Sequence, residues 1–305
     1  MTAGKMPTTA SSRVTHRVQP RRDFRTLLLA AVDERWETFR SRLKRCQKKS
    51  SEEAVHDLRV ATRRLISVLD LLANMHPEGA LRRAERRLKR LLNRFGPLRD
   101  VQVQLRSIEK MLPSFPELQG FYAYLVKRER KLVRRLDAEV TRVRTGKVKK
   151  AIGAAGQQLE ELFDTPAKQR TQLTAVIHTV DAAFNKVVEH KLAINPTDHA
   201  TIHRMRVAFK KFRYMVESLA PMLDQVMSKH LKAMNAFQSR MGDIQDAEVL
   251  LSRATAFDRK HDMKRGASRE RALDELVRRR TALTEDFLRS ADLLYTFWKP
   301  GSIVR

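Results

Sequence analysis

The sequence predicts an all-α protein made of two repeats of one helical unit, on three observations. Gly and Pro number only 10 each in 305 residues and fall at punctuation points rather than inside periodic stretches. Leu, Ala, Arg, Glu and Lys dominate, and runs of alternating β-branched residues are missing. Two segments also recur in the same order, at nearly the same spacing, in the two halves of the chain.

The helices follow from the punctuation. Residues 1–22 read as a disordered basic leader, since "MTAGKMPTTASSRVTHRVQPRR" lacks the apolar core of a signal peptide. A first helix is expected over about 23–48 and a second from Ser51 or Glu52 to Met75. The stretch "SSEEAV" offers Ser50 or Ser51 as its cap and places acids in its first turn, and "HPEG" breaks it. A third helix covers about 79–95 and is stopped by Gly96 and Pro97; a fourth covers 98–111 and is ended by "PSFP". A long fifth covers about 116–145. From "TGKVKK" to "DTPAKQ" the chain reads as a hinge region with a short helix inside it, so residues 151–166 divide a first half (23–150) from a second (167–295). Five more helices are expected at about 167–192, 198–219, 222–241, 243–260 and 267–292, before a tail at 296–305.

A shift of 147 residues lays "VHDLRVATRRL" (from Val55) on "IHRMRVAFKKF" (from Ile202). A shift of 146 lays "LKRLLNRFGPLRDVQVQL" (88–105) on "MNAFQSRMGDIQDAEVLL" (234–251), matching Arg94 with Arg240, Gly96 with Gly242 and Asp100 with Asp246. The period is too long for a solenoid, so each half is expected to form a bundle of its own.

Charge narrows the function. Lys and Arg total 62 against 35 Asp and Glu, a formal charge of +27. Such an excess repels itself in a folded chain and is normally kept for a polyanionic partner. One cysteine, Cys46, excludes an internal disulfide and a cysteine-rich zinc site, and a cytosolic chain is expected. No uninterrupted apolar run approaches about 18 residues, so no transmembrane helix is expected.

The repeated histidine helices show where the charge is organised. With the histidine at 0° and about 100° per residue, the positions at +3, +7 and +10 fall within an arc of about 80° that rises about 15 Å. In the second half these are His203, Arg206, Lys210 and Arg213; in the first they are His56, Arg59 and Arg63, with Ile66 at the last position. Leu58, Leu65, Leu69 and Leu72 lie on the opposite side, facing a core. Guanidinium groups so spaced can each fork onto phosphate oxygens, lysine adds a point charge, and a protonated histidine can donate from either nitrogen. A basic stripe on one helix is ordinarily a solvated face, but a solvated face has no reason to repeat its spacing after a duplication. Arg94 and Arg240 are further candidates at matched positions. Asp100 and Asp246, carboxylates in positive surroundings, are candidates for orienting a neighbouring Arg or His, with an ordinary first-turn acid as the rival reading.

Together these residues resemble the conserved histidine α-helical domain (CHAD) family over about 24–292. The resemblance is carried by the H-x-x-R-V-A-x-(R/K)-(R/K) helices. These are His56, Arg59, Arg63 and Arg64 in the first half, and His203, Arg206, Lys210 and Lys211 in the second, continued by "FRYMVE" with Arg213. It is carried also by the glycine-to-aspartate segments 96–100, which includes Arg99, and 242–246, where Gln245 replaces that arginine. The resemblance implies two helical-bundle halves related by pseudo-twofold symmetry, with a basic surface or channel between them. It also implies binding of inorganic polyphosphate and association with polyphosphate granules, with no cofactor, no metal and no catalysis. The E-x-E-x-K motif of the triphosphate-processing domain found in some relatives is absent from this chain. A nucleic-acid-binding or condensing protein is the alternative, although 4 Tyr and 2 Trp supply no recognisable stacking platform. Phosphoanhydride hydrolysis would need more than the one matched acid per half.

Overall fold

The computed structural model describes residues 24–75, 79–220, 223, 228–260 and 267–301. The expected leader, the "HPE" of the first break and the last four residues lie outside them. Ten α-helices run through the described residues: α1 (Phe24–Lys48), α2 (Glu52–Met75), α3 (Gly79–Arg94), α4 (Gly96–Met111), α5 (Gln119–Thr141), α6 (Gly146–Leu162), α7 (Pro166–Leu192), α8 (His199–Leu219), α9 (Ser228–Lys260) and α10 (Ala267–Arg289). Single 3-10 turns at Pro116–Leu118 and Ala291–Thr296 precede α5 and follow α10. None of these helices is long and apolar enough to cross a membrane.

Local chemistry sets the ends that position the site. Ser51 Oγ accepts from Ala54 N–H at 3.2 Å, so Ser51 caps α2 with Glu52 and Glu53 in the first turn. Asp198 caps α8 by accepting from Ala200 N–H at 3.0 Å. Pro97 sits in the first turn of α4, where its missing N–H costs nothing.

The helices α2 and α8 occupy the middle: α2 packs on α1, α3, α7 and α8, while α8 packs on α7 and α9 as well. One buried apolar cluster draws on α1, α2, α3, α6, α7, α8 and α9, from Leu28 through Leu65 and Phe209 to Trp298. A second joins α4, α5, α9 and α10 through Val101, Phe121, Leu250 and Leu276. Both clusters take residues from both sides of the expected divide. The expectation of two separately cored bundles is therefore corrected: the repeats share their core.

Three further expectations change. Residues 151–166 are not a hinge, because most of the segment belongs to the 17-residue α6. This helix buries Val148, Ala151, Ile152, Ala155 and Leu159 and packs on α1 and α3. Helices expected at 222–241 and 243–260 are one, α9, of 33 residues. Gly96 is followed by Pro97, which cannot donate to the preceding turn, whereas Gly242 is followed by Asp243, which can; the same glycine thus breaks one repeat and not the other. Finally, 296–305 is not wholly a tail. Phe297 and Trp298 are buried, and Trp298 Nε1 donates to Asp181 Oδ1 at 2.6 Å while its ring meets Phe212 edge-on.

Candidate functional site

The face that α2 turns to α8 carries Arg59 and Arg63, one helical turn apart. The face that α8 turns back carries Arg206, Lys210 and Arg213, as the 3.6-residue period requires. The helix α4 brings Arg99 and Asp100 to the same region, and α9 brings Asp243 and Asp246. Arg206 reaches across to α9, where its Nε lies 3.7 Å from the position a Cβ would take on Gly242.

The cations of this cluster are crowded and poorly satisfied. Arg59 is only 8% exposed, and its Nη1 is buried with no hydrogen-bond partner; Arg63 Nε and Arg206 Nε are likewise buried and unpartnered. Buried guanidinium donors are nearly always paired in a folded protein; Arg35, Arg128, Arg269 and Arg280 also carry an open Nε, and what distinguishes Arg59, Arg63 and Arg206 is that they belong to the facing stripes of α2 and α8. Burial and then the charge of Arg63 push the Arg59 guanidinium down to about 10, with Asp100 pulling the other way. Arg63 is lowered by burial, partly offset by a hydrogen bond to Tyr214, and Arg99 by burial and then by Arg106. Lys210 is the extreme: burial, then Arg63, Arg206, Arg59 and Arg213, push its ammonium down to about 6. Desolvation and like charge both favour the neutral amine.

The acids answer only part of this charge. Burial raises Asp246 despite Arg206 and Arg99 nearby, and burial raises Asp243 despite Arg279 and Arg206. Among the described residues neither Asp100 nor Asp246 makes a hydrogen bond to an Arg or His. They act as nearby counter-charges, and the orienting role expected of them is corrected.

Other expected residues fall outside the cluster. Arg64 Nε pairs with Glu217 Oε1 at 2.6 Å, and Lys211 Nζ pairs with Asp70 Oδ2 at 3.0 Å, so both hold α2 to α8 from the flank. The family motif implied them as ligand groups because sequence does not show which basic residue of a pair finds an acid. Arg213 stands between these roles. Its charge is felt by Lys210, but its guanidinium donates to Gln238 Oε1 at 3.0 Å and Glu217 Oε2 at 3.4 Å and lies 4.3 Å over the Tyr214 ring. Arg94 is drawn to α5, with Nε 3.6 Å from Glu139 Oε2, and Arg240 is exposed on α9, with no hydrogen bond or ion pair to the cluster among the described residues; both are corrections. His56 and His203 are exposed at the head of their helices. Burial and then Arg99 lower His56, so the cationic form expected of it is disfavoured in the unliganded protein.

Some residues of the region carried no sequence signal. Tyr214 lies within "FRYMVE", where nothing in the sequence marks it for a role. Asp243 pairs by position with Pro97 and so looked unrepeated. Arg253, which donates to Gln104 Oε1 at 2.6 Å, and Arg128, with a buried unpartnered Nε, extend the basic region beyond Asp100.

Comparison with known proteins follows this geometry. No curated protein matches the chain. Among solved structures it is similar to the CHAD domain from the plant Ricinus communis, at 19% identity and a TM-score of 0.57, covering 96% of this chain and 95% of that one. It is also similar to PptA from Streptomyces chartreusis, at 16% identity and a TM-score of 0.52, covering 89% and 97%. At such identities these likenesses speak for the fold. The CHAD domain family profile matches residues 30–255, which include both histidine helices and both glycine-to-aspartate segments, and the chain belongs to the CHAD domain family.

Proposed function

We propose that this protein binds inorganic polyphosphate at the α2–α8 cluster, without hydrolysing it, and that it associates with polyphosphate granules. The observation that carries the reading is the set of open guanidinium donors on Arg59, Arg63 and Arg206, grouped with Lys210 and Arg99. Phosphate oxygens satisfy such donors in pairs, and an anion also relieves the repulsion among them. A polyphosphate chain carries charge at every unit and has no base to accommodate. Nucleic acid would ask for aromatic faces to stack upon, whereas Phe209, Phe212 and Phe237 are buried in the core. Membership in the CHAD domain family supports the same reading.

The test is competition. Labelled long-chain polyphosphate is bound to the full chain and challenged with duplex DNA or single-stranded RNA at equal phosphate concentration and fixed salt, with released orthophosphate followed in parallel. Polyphosphate is expected to outcompete both and to remain intact. Equal or better competition by nucleic acid would replace this reading with the condensing one, and orthophosphate release would overturn the non-catalytic part.

A further inference from the structure

The α2–α8 cluster makes no use of the arginines of α3, yet three of them gather at one cavity. Arg87, Arg90 and Arg94 follow at steps of three and four, so they share a face of the helix. Arg144, in the connection between α5 and α6, joins them in lining a cavity of about 170 Å³. These four are exposed and form its rim. Its floor is apolar and buried: Phe39 of α1, Leu88 and Leu91 of α3, and Val148 of α6. The packing of α6 on α1 and α3 brings the two together. No acid lines the cavity. Among the described residues Arg87, Arg90 and Arg144 make no hydrogen bond or ion pair, and Arg94 is held loosely, by Glu139 at 3.6 Å. The larger cavity between α1 and the start of α2 differs, because Glu37 and Glu53 line it and already hold its Arg40 and Arg45. An apolar cavity of about 150 Å³ takes a benzene ring, so this one has room for a leucine or phenylalanine side chain. A bare oxoanion would leave the floor uncovered, and polyphosphate has no apolar group to place on it. An apolar anchor seated under an arginine rim is the arrangement of a protein-binding hot spot.

We propose that this cavity docks an acidic segment of a partner protein. One bulky apolar side chain of the segment sits on the floor, and flanking Asp or Glu side chains meet Arg87, Arg90, Arg94 and Arg144. Charge complementarity selects this occupant: four rim cations on a chain of net charge +27 repel a basic partner, and a second copy carries the same excess. Guanidinium groups receive carboxylates in pairs of hydrogen bonds, so the rim adds orientation as well as attraction. None of the lining residues belongs to α2, α8 or α9, so one molecule can hold a partner here and a polyanion at the α2–α8 cluster together. The docking site does not depend on what that cluster binds.

The probes are a synthetic glutamate peptide with a single central leucine and the same peptide with glycine in its place, each titrated with the full chain by fluorescence anisotropy. The leucine peptide is expected to bind at least about tenfold tighter, the worth of burying one leucine side chain. Thr145 is a half-buried lining residue whose hydroxyl makes no cap bond to α6, which makes it the position for a blocking variant. Thr145→Trp should bring the leucine peptide down to the affinity of the glycine peptide while polyphosphate binding stays unchanged. Arg87→Gln with Arg144→Gln should weaken both peptides. With a photo-reactive diazirine analogue in place of the leucine, the wild-type chain should be cross-linked within residues 87–94 and 143–148. Equal affinity for the two peptides, or cross-links confined to α2 and α8, would overturn the proposal. So would self-association of the chain that Thr145→Trp abolishes, which would give the cavity to a second copy.

Discussion

Binding at this cluster is expected to be linked to a proton, and the group that carries it is Lys210. In the free protein its ammonium is pushed down to about 6 by burial and four neighbouring arginines, so near pH 8 the site holds a neutral amine. A polyanion between α2 and α8 supplies negative charge to the same atom and raises its pKa again. Binding and protonation then favour one another by the same factor. Between the free and bound pKa values the affinity rises by up to tenfold per unit fall in pH, and below the free value the slope fades. From about pH 8.5 to 6.5 the expected gain approaches a hundredfold, and uptake on binding approaches one proton. The measurement is titration with long-chain polyphosphate, whose few end groups contribute little, at fixed ionic strength across that range. Calorimetry in two buffers of different ionisation heat counts the protons. Lys210→Arg, charged throughout, should bind with a nearly flat profile. The His56→Gln, His203→Gln double variant should keep most of the slope above about pH 7, because burial and Arg99 hold His56 below the ordinary histidine value near 6.5. A slope that survives Lys210→Arg, or that disappears in the histidine variant, would refute the assignment.

Other outcomes follow from the same geometry. Arg59→Gln with Arg206→Gln should weaken polyphosphate binding by about 1–3 kcal/mol per lost charge-assisted contact. Arg86→Gln with Arg90→Gln, the same charge removed from the exposed face of α3, should cost much less; equal losses in a direct titration would mean that only the diffuse field matters. Arg82→Ala should destabilise the fold by about 3 kcal/mol in a denaturant titration with little change in binding, because it strips a partner from the buried acids Asp70 and Glu85. Trp298→Ala should lose about 3–5 kcal/mol in the same titration, since the ring is buried against Phe212; a loss below about 1 kcal/mol would show that the C-terminal segment is dispensable.

The sequence made some of this legible and hid the rest for physical reasons. Helix period and capping chemistry are local, so α1, α2, α3, α7, α8 and α10 lie close to the stretches read from punctuation. The α6 helix was obscured by lysines and glycines on its exposed side, although Val148, Ala151, Ile152, Ala155 and Leu159 already keep helical spacing. Gly242 lacks the following proline that makes Gly96 a break, so α9 runs through it. Arg59, Arg63, Arg206 and Lys210 were readable because a duplication repeated their spacing. That Arg64 and Lys211 serve as struts was not, because Glu217 and Asp70 meet them only through the packing of α2 on α8. Nor did the sequence show that Lys210 holds its proton less firmly than its neighbour: "KK" at 210–211 looks like two equal charges, and only burial among four arginines separates them.

The differences between the repeats bear directly on function. Two identical stripes meeting face to face would set like charge against like charge with nothing to relieve it. This chain relieves the conflict in several ways at once. Ile66 replaces one cation of the first stripe, Glu217 and Gln238 take up Arg213, Asp70 takes up Lys211, and burial among arginines weakens the hold of Lys210 on its proton. Within the two stripes, open donors remain on Arg59, Arg63 and Arg206, where a counter-charge has most to gain. Lysine rather than arginine at position 210 matters for this. An arginine there would keep its charge at all physiological pH and add permanently to the repulsion, whereas lysine can be neutral without ligand and charged with it. The cluster is therefore costly in the unliganded protein and becomes favourable when an anion arrives. Departures from local stability rules belong where they are relieved by a partner. The cluster is thus better explained by what binds it than by the fold alone, which the shared core and the flanking ion pairs hold together without it.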